Sequence, residues 1–441
     1  MVINKSFAVA AFPLLLCLVA LSITPDPSLA RQPPRSAEQW VATWSAAPQQ
    51  LPEGQAQHFD RQQTIRLIVR ATIGGQELRL RISNLYGTTP LNIGAAHVAL
   101  RTAGAQIVPG TDRPLTFGNQ PTASIPGGGS LLSDAVSLDV PSEADLAISL
   151  FLPDGALGTT AHVLARQTNY AATQPGDLTG ANELPAPRPF RSWPFITGID
   201  VRAATPAAAV VAFGDSLVDG DGSTTDANQR WPNLLAHRLI AADEPLAVVN
   251  EGIIANRLLR GVAPEMRGKF GGIPGDSALD RFDRDVLTQA GVRCVIVRTG
   301  TNDLGFPGSF ASIGESVSAA DILAGYRQLA ARAHALGLAL FVTTIPPFEG
   351  AKIAPGYYSE SKERVRQEVN ARIRHGGGFD GFFDFDAVVR DPSDPARIDP
   401  RYDSGDHLHP NDIGYRALAD AIPLPRLWPR CAARQTGGAK S

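Results

Sequence analysis

Residues 209–217 read Ala-Val-Val-Ala-Phe-Gly-Asp-Ser-Leu, a short apolar run that leads into a polar turn. The run has the length and the apolar content of a strand that is buried on both faces. Four more runs of this kind follow, at 246–250, 292–298, 338–344 and 381–385. Helical patterns separate them, and strands that alternate with helices indicate a parallel sheet covered on both faces. We therefore predict an α/β domain in the C-terminal half.

Two amphipathic patterns indicate the helices. Residues 321–336 place their apolar side chains on one helical face, and Val365, Val369 and Ile373 recur every four residues. A spacing of three or four residues keeps side chains on the same side of a helix. Each pattern predicts a helix that packs against the sheet.

Four polar motifs follow the predicted strands. They are Gly214–Leu217, Asn250–Asn256, Gly300–Asp303 and Asp406–His409. The strands of an open parallel sheet end at one common edge, where ligands bind. We therefore expect the four motifs to meet at one site.

The motifs contain a nucleophile and a base. Ser216 is the candidate nucleophile, because a serine hydroxyl becomes reactive when a base contacts it. His409 is the candidate base, and Asp406, three residues earlier, is placed to accept from its Nδ1 and orient the ring. His407 is the alternative base. His409 has the better offset from Asp406 and directly precedes Pro410 at a predicted helix start.

The same motifs offer hydrogen-bond donors for an oxyanion. These are the side-chain amide of Asn302, the backbone N–H of Ser216 and an N–H from the loop 250–256. Such donors stabilise the tetrahedral oxyanion more than the ground-state carbonyl, as catalysis requires. Three neighbouring positions are expected to support the loops around these donors: Asp215, Gly300 and Asp303. The two aspartates are expected to act as hydrogen-bond acceptors.

Residues from about 38 to 200 have an all-β pattern. Residues 64–70 and 77–83 flank Gly74-Gly75, which predicts a hairpin. Within 77–83 the aliphatic residues alternate with arginines, so we expect the aliphatic side chains in a core and the arginines in water. Other short strands are predicted near 97–100 and 146–151. This pattern predicts a β-sandwich.

The first thirty residues have the pattern of a secretory signal peptide. Lys5 precedes an apolar run from Phe7 to Ile23, and Ser28-Leu29-Ala30 is a small-x-small cleavage pattern. An N-terminal membrane anchor is the alternative. We expect cleavage near Ala30 and a secreted or periplasmic protein. The expected organisation is a signal peptide at 1–30, a β-sandwich-like accessory domain at 31–202, a catalytic domain at 203–430 and a flexible tail at 431–441.

Composition and cysteine usage exclude some classes of protein. The 441 residues carry a formal net charge of −3, which argues against a nucleic-acid or anionic-membrane partner. After removal of the leader only Cys294 and Cys431 remain. We expect Cys294 to be a small core residue, with a disulfide to Cys431 as the alternative. Neither these cysteines nor residues 219–222 have the ligands of a metal site, so we expect no metal and no cofactor.

The motifs resemble those of the SGNH hydrolases, also called the GDSL esterase/lipase family, over about 205–425. The matching blocks are Phe213–Leu217, Gly300–Asp303 and Asp406–Pro410. The resemblance implies a flavodoxin-like α/β/α sandwich. It also implies roles for four side chains, which are Ser216 as nucleophile, Asn302 as oxyanion donor, Asp406 as orienting carboxylate and His409 as base. The preceding β-region resembles the accessory domain of secreted bacterial members.

One position departs from the family pattern. The family normally supplies an oxyanion N–H from a glycine five positions after the residue equivalent to Asn250, and this chain has Ala255 there. Only a backbone N–H is needed, so we expect Ala255 to remain a donor. An alanine is strained where φ is positive, so the backbone at Ala255 tests this expectation.

These observations predict a secreted serine esterase that acts on a small-molecule or glycan ester, with an acetylated carbohydrate as the first choice of substrate. A short-chain lipid or aryl ester is an alternative, and so is transfer of the acyl group to a sugar hydroxyl. A binding protein with an inactive α/β domain is the alternative from another class. Trp40 and Trp44 are expected to be core aromatics rather than sugar platforms. The oligomeric state is not predicted.

Overall fold

The computed structural model describes residues 40–203 and 206–432, which form one compact unit. The predicted signal peptide lies outside the described residues, as does the predicted tail from residue 433 onward. No helix within the described ranges is both long enough and apolar enough to cross a bilayer.

Residues 40–202 are built from short strands that form an all-β region, as predicted. The strands are β1 Trp40–Ser45, β2 Gln49–Gln50, β3 Gln57–Phe59, β4 Gln63–Arg70, β5 Gly75–Ser83, β6 Leu91–Ile93, β7 Ala95–Leu100, β8 Arg113–Pro114, β9 Ala123–Ile125, β10 Ser130–Leu132, β11 Val136–Val140, β12 Asp145–Leu152, β13 Ala156–Gly158, β14 Thr160–His162, β15 Asn169–Ala171, β16 Arg188–Phe190, β17 Trp193–Pro194 and β18 Ile196–Arg202.

Two antiparallel sheets make up most of this region. The first has the order β1-β18-β5-β10, with β11 also paired to β5, and the second has the order β16-β15-β4-β12-β7-β8. Aliphatic side chains from both sheets share one buried core, among them Leu67, Leu80 and Ile148. Alternation along each strand turns one face of each sheet toward this core, which gives a β-sandwich.

The predicted hairpin between residues 64–70 and 77–83 is wrong. β4 pairs with β12 and β15, whereas β5 pairs with β18, β10 and β11, so the two strands lie in different sheets. The chain therefore crosses from one sheet to the other between β4 and β5. In this arrangement both strands direct apolar side chains into the shared core, from opposite sides. Gly74 and Gly75 permit close backbone contact there, since a Cβ would lie 2.3 Å from Val140 O or 2.6 Å from Arg202 O, respectively.

The arginines of β5 are less exposed than predicted. Arg79 is 24% exposed, and its Nε lies 2.8 Å from the buried carboxylate of Asp200. Its guanidinium also lies over the ring of Trp40, at 4.5 Å from the ring centre. Trp44 is buried and packs edge-on against Trp193, so it belongs to the core as expected.

The C-terminal half contains the predicted parallel sheet. Its strands are β19 Ala208–Gly214, β20 Leu246–Gly252, β21 Val292–Arg298, β22 Ala339–Thr343 and β23 Gly381–Phe383. Their order is β20-β19-β21-β22-β23, which is the flavodoxin-like order. The strand order reverses between β19 and β21, so the crevice beyond their carboxyl ends is the expected place for a ligand.

Helices cover both faces of this sheet. They are α1 Ser216–Asp219, α2 Trp231–Ala241, α3 Pro264–Phe270, α4 Ala278–Phe282, α5 Thr301–Gly305, α6 Ala319–Ala335, α7 Glu360–Arg374, α8 Phe385–Val389, α9 Asp412–Asp420 and α10 Leu424–Cys431, with a one-turn π-helix at Asp283–Leu287 and a 3₁₀ turn at Ile313–Glu315. α6 and α7 contribute to the core on one face, and α2, α9 and α10 contribute to the core on the other. The result is the α/β/α sandwich that the sequence predicted.

Cys294 is not a free core thiol, because it forms a disulfide with Cys431. Cys294 lies in the central strand β21 and Cys431 ends α10, 137 residues later. α10 packs across the sheet at this point, so the two buried side chains meet. Cys431, the first residue of the predicted tail, is therefore part of the folded structure.

The β-region packs directly against the α/β region. The Ala42 N–H of β1 donates to Ala290 O at 2.9 Å, and Ala42 lies in the core formed by α6 and α7. The Gln49 side chain donates to Ile273 O at 2.5 Å. These contacts bring the β-region close to the edge of the parallel sheet where the motifs lie.

Candidate active site

The Ser216 turn follows β19, beside the carboxyl end of β21. Asp215 caps α1, because its Oδ1 accepts from the Leu217 N–H at 3.1 Å. Its Oδ2 lies 2.5 Å from a guanidinium nitrogen of Arg298, at the end of β21. A Cβ on Gly214 would lie 1.7 Å from Arg298 O, so only glycine fits this close approach. Ser216, the first residue of α1, is therefore held in place by contacts from two strands.

Ser216, His409 and Asp406 form a continuous hydrogen-bonded chain. His409 Nε2 lies 2.9 Å from Ser216 Oγ, and His409 Nδ1 lies 2.6 Å from Asp406 Oδ2. Burial alone would raise the pKa of Asp406. The hydrogen bond and charge of His409, with the backbone N–H groups of His409 and Leu408, outweigh it and hold this pKa well below its usual range. Asp406 is therefore an ionised partner for the imidazole.

The other histidine of the motif has a different partner. His407 Nδ1 hydrogen-bonds to Asp403, and the His407 side chain is 42% exposed. The structure therefore brings His409, and not His407, into contact with Ser216.

The side chain of Asn302 is held in one orientation. Its Nδ2 donates to Asn256 O at 2.9 Å, and its Oδ1 accepts from the hydroxyl of Tyr357 at 2.7 Å. Burial raises the pKa of Tyr357, so its hydroxyl stays protonated and donates. The Nδ2 group has two hydrogens, and one remains available for an oxyanion. Tyr357 lies in the connection between β22 and α7, where no motif pointed to it.

Ala255 has a left-handed backbone with φ of 65°. This conformation costs an alanine about 1 kcal/mol. Hydrogen bonds on both sides hold it. The Ile254 N–H donates to Asp219 Oδ2 at 2.9 Å, and the Asn256 side chain donates to Pro274 O and Asp276 O at 2.8 and 2.7 Å. The loop therefore has the conformation that a glycine would readily adopt, although alanine occupies it.

Two further predicted positions support the loops around the site. The Asp303 carboxylate accepts from the N–H groups of Leu258 and Leu259, at 2.7 and 2.9 Å, and so holds the loop after β20. Gly300 caps α5 with φ of 105°, a conformation that favours glycine. Asp303 thus supports the loop that carries Ala255, whereas Gly300 shapes the turn into α5, the helix that carries Asn302.

Arg281 is a buried contributor that the sequence did not reveal. Its guanidinium donates to Gly214 O, Glu251 O and Asn256 Oδ1, at 2.7, 2.9 and 3.1 Å. One side chain thus joins the ends of β19 and β20 to the loop that carries Ala255. In the sequence Arg281 is one charged residue among several and follows no strand, so its role depends on the tertiary structure.

A cavity of about 190 Å³ opens beside Ser216 and His409. Most of its wall is apolar, and the lining side chains come from the loop after β20, from α3 and the residues that follow it, from the segment after α5, from the connection between β22 and α7 and from the loop before α9. The apolar lining residues are Ile254, Ala255, Met266, Phe270, Ile273, Pro274, Phe306, Phe310, Ile353 and Leu408. Asn302, Tyr357 and Asp221 also line the wall, so the cavity joins the hydroxyl of Ser216 to a space for an apolar group. Among the described residues, no three His, Cys, Asp or Glu side chains are grouped to hold a metal ion.

Comparisons with known proteins identify the domain. Residues 212–417 match the family model described as GDSL-like Lipase/Acylhydrolase family. No curated protein matches the chain. Solved structures that match part of the chain include an aryl esterase from M. smegmatis, with 21% identity over 49% of this chain and 96% of that chain and a TM-score of 0.36. A lipase/acylhydrolase from Enterococcus faecalis matches with 19% identity over 52% of this chain and 100% of that chain and a TM-score of 0.36. A third is a carbohydrate acetylesterase from Sinorhizobium meliloti, with 20% identity over 49% of this chain and 96% of that chain and a TM-score of 0.35.

The strand order, the positions of the motifs on one edge of the sheet and the match over residues 212–417 agree. Residues 212–417 therefore form a domain of the GDSL-like lipase/acylhydrolase family, also called the SGNH hydrolases, a family of ester-hydrolysing enzymes.

Proposed function

We propose that this protein hydrolyses carboxylic esters through an acyl-Ser216 intermediate. The observation that carries the proposal is the chain of contacts from Ser216 Oγ to His409 and on to Asp406, at 2.9 and 2.6 Å. His409 accepts the Ser216 proton as Oγ attacks the ester carbonyl, and Asp406 stabilises the imidazolium that forms. His409 then protonates the leaving alcohol. In the second half of the reaction His409 accepts a proton from a water molecule as that water attacks the acyl carbonyl. The bond between Ser216 Oγ and the acyl carbon then breaks, His409 returns the proton to Oγ, and the acid leaves.

Three donors would stabilise the tetrahedral oxyanion. They are the backbone N–H groups of Ser216 and Ala255 and the free hydrogen on Asn302 Nδ2. Ser216, Ala255 and Asn302 all line the same cavity, which supports this assignment. Donors that are already oriented lower the barrier because little reorganisation is needed as charge develops on the oxygen.

The cavity favours an apolar ester over an acetylated carbohydrate. Its volume of about 190 Å³ exceeds the ~150 Å³ of a protein cavity that holds benzene. An acetyl group would leave most of this space empty, whereas an aryl group or a chain of several carbons would fill it. Each buried methylene contributes about 0.8 kcal/mol. We therefore propose an aryl or short-to-medium-chain ester as the substrate.

A panel of p-nitrophenyl esters with two to twelve acyl carbons, together with acetylated xylan and phenyl acetate, tests this function. We expect kcat/KM to rise with chain length up to the capacity of the cavity and then to fall, and Ser216→Ala to remove turnover while the protein stays folded. Turnover retained in Ser216→Ala would refute the acyl-serine mechanism. Faster turnover of acetylated xylan than of every apolar ester would refute the substrate class and support a carbohydrate deacetylase.

We also propose that the protein is exported. The leader pattern in residues 1–30 supports this, and so does the disulfide between Cys294 and Cys431, because disulfides persist mainly in oxidising compartments. Expression of the full chain in a bacterium, with fractionation and N-terminal sequencing, tests the proposal. We expect a mature N-terminus near residue 31 in the periplasm or medium. A protein that starts at Met1 and stays in the cytoplasm would contradict it.

A further inference from the structure

A segment of the β-region, residues 162–168, contacts the loop 219–226 that follows the Ser216 turn. Asp226 accepts from the Thr168 N–H at 2.6 Å and from the Thr168 hydroxyl at 2.7 Å. Arg166 forms an ion pair with Asp221, which lies 3.8 Å from His409 Nε2. The β-region therefore reaches the immediate surroundings of the catalytic residues.

His162 is the buried member of this segment. Its side chain is 4% exposed and packs against the Trp193 ring, at 5.7 Å between ring centres. Nδ1 lies 3.0 Å from Ala47 O, and Nε2 lies 2.9 Å from Asp219 Oδ1. Each ring nitrogen therefore has a polar partner within hydrogen-bond distance, and these two contacts fix the ring in position and in orientation.

Asp219 connects His162 to two parts of the site. It is the last residue of α1, and Ser216 is the first. One carboxylate oxygen accepts from His162, and the other accepts from the Ile254 N–H at 2.9 Å. The carboxylate is buried, with 2% of the side chain exposed. A single buried group thus joins the nucleophile turn to the loop that carries Ala255.

The strained backbone of Ala255 makes this connection consequential. Alanine with φ of 65° tends to relax toward negative φ unless its neighbours prevent the change. The Ile254 N–H directly precedes this residue, so its bond to Asp219 resists the change. If Asp219 shifts, the Ala255 N–H shifts with the loop, and a displacement of about 1 Å in a catalytic group can cost about a hundredfold in rate.

We propose that His162 is a positioning residue for the oxyanion hole. It holds Asp219, and Asp219 holds Ile254 and Ala255 in the conformation in which the Ala255 N–H faces the oxyanion. This inference rests on the proposed esterase function and extends it, because it assigns the β-region a part in catalysis. His162 itself touches neither the ester nor the reacting atoms.

The test compares three variants by steady-state kinetics on p-nitrophenyl hexanoate, with active sites counted by titration. His162→Phe keeps an aromatic ring against Trp193 but removes both hydrogen bonds. His162→Gln retains an N–H donor for Asp219. His97→Phe is the matched control, since His97 also bonds to an aspartate of the β-region, Asp112, at 2.8 Å, but does not contact the site.

We expect His162→Phe to lower kcat by about ten- to a hundredfold with KM within about threefold, because a mispositioned oxyanion donor weakens transition-state binding. His162→Gln should recover most of this loss, and His97→Phe should stay within about threefold of the unmodified protein. If His162→Phe does not fold, Asp219→Ala replaces it, with the same expected fall in kcat at nearly constant KM.

Three outcomes would overturn the proposal. The first is a kcat within threefold of the unmodified protein in His162→Phe, or in Asp219→Ala where that variant replaces it. The second is an equal loss of kcat in His97→Phe, and the third is no recovery of kcat in His162→Gln. Ser216→Ala, measured alongside, keeps the two hypotheses apart. If that variant retains turnover, the proposed function itself fails. If it is inactive while His162→Phe is fully active, only the positioning role fails.

Discussion

Removal of the Tyr357 hydroxyl tests how the Asn302 amide is oriented. The hydroxyl lies 2.7 Å from Asn302 Oδ1, and both side chains are buried. In Tyr357→Phe the amide oxygen loses its donor, and an unpaired buried acceptor costs about 1–3 kcal/mol. The amide can then rotate so that its oxygen, rather than its N–H, faces the oxyanion, which would remove one donor from the site.

The size of the effect follows from the bond that remains. Asn302 Nδ2 still donates to Asn256 O at 2.9 Å, and a typical hydrogen bond contributes about 1 kcal/mol. This contribution keeps part of the protein in the productive orientation. We therefore expect kcat to fall about tenfold, which is less than the 10²–10³ that accompanies loss of a whole oxyanion donor. KM should change little, because the donor acts mainly on the transition state.

Initial rates with p-nitrophenyl hexanoate at one pH measure this change. Tyr358→Phe is the matched control, because the neighbouring hydroxyl contacts Glu349 at 3.3 Å and not Asn302. Asn302→Ala gives the limit for complete loss of the side-chain donor. A kcat in Tyr357→Phe equal to that of the Tyr358→Phe control, with a normal melting curve, would refute the assigned orientation. So would a loss as large as that of Asn302→Ala.

Four further predictions concern single residues. His409→Ala should lower kcat by about 10⁴ or more while His407→Ala stays within about threefold, and the reverse order in a rate assay would show that the base is misassigned. Ala255→Gly should keep full activity and leave the unfolding free energy within about 1 kcal/mol in urea, because relief of backbone strain offsets the greater freedom of the unfolded chain; a large loss of activity would contradict this. Cys431→Ser should lower the unfolding free energy by about 2–5 kcal/mol, and an unchanged urea midpoint would argue against a structural disulfide. The pKa of Asp406 is lowered in the folded protein, so its ionised form stabilises the fold above about pH 4. This contribution is lost as the pH falls below that value. In acid titrations of the unfolding free energy, Asp406→Asn should therefore lose stability less steeply than the unmodified protein.

The sequence predicted the parallel sheet well because its signals are local. The apolar runs, such as 292–298, coincide with strands, and three of the polar motifs lie at or directly after strand ends. The fourth, Asp406–His409, lies beyond α8, in the segment before α9. A chain that alternates strands and helices has few ways to pack, so the edge that carries Ser216 and His409 followed from the order of the elements.

The errors arose where two elements distant in the sequence come together. The strands 64–70 and 77–83 look like a hairpin from their turn residues, yet each pairs with a strand far along the chain. Cys294 looks like an ordinary core residue within an apolar strand, and its partner is 137 residues away. Spacing and composition do not encode such contacts, since they depend on how complete layers pack.

By itself, the sequence determined the α/β architecture, the turn that carries Ser216 and the pairing of His409 with Asp406, because each depends on residues that are close together in the chain or at the ends of adjacent strands. The tertiary structure alone decided the contacts that orient these groups. These are buried polar contacts between distant segments: Tyr357 bonds to Asn302, Arg281 bonds to the ends of two strands, and His162 bonds to Asp219. Buried polar groups require partners, and which partner is available is set only when the layers of the fold come together.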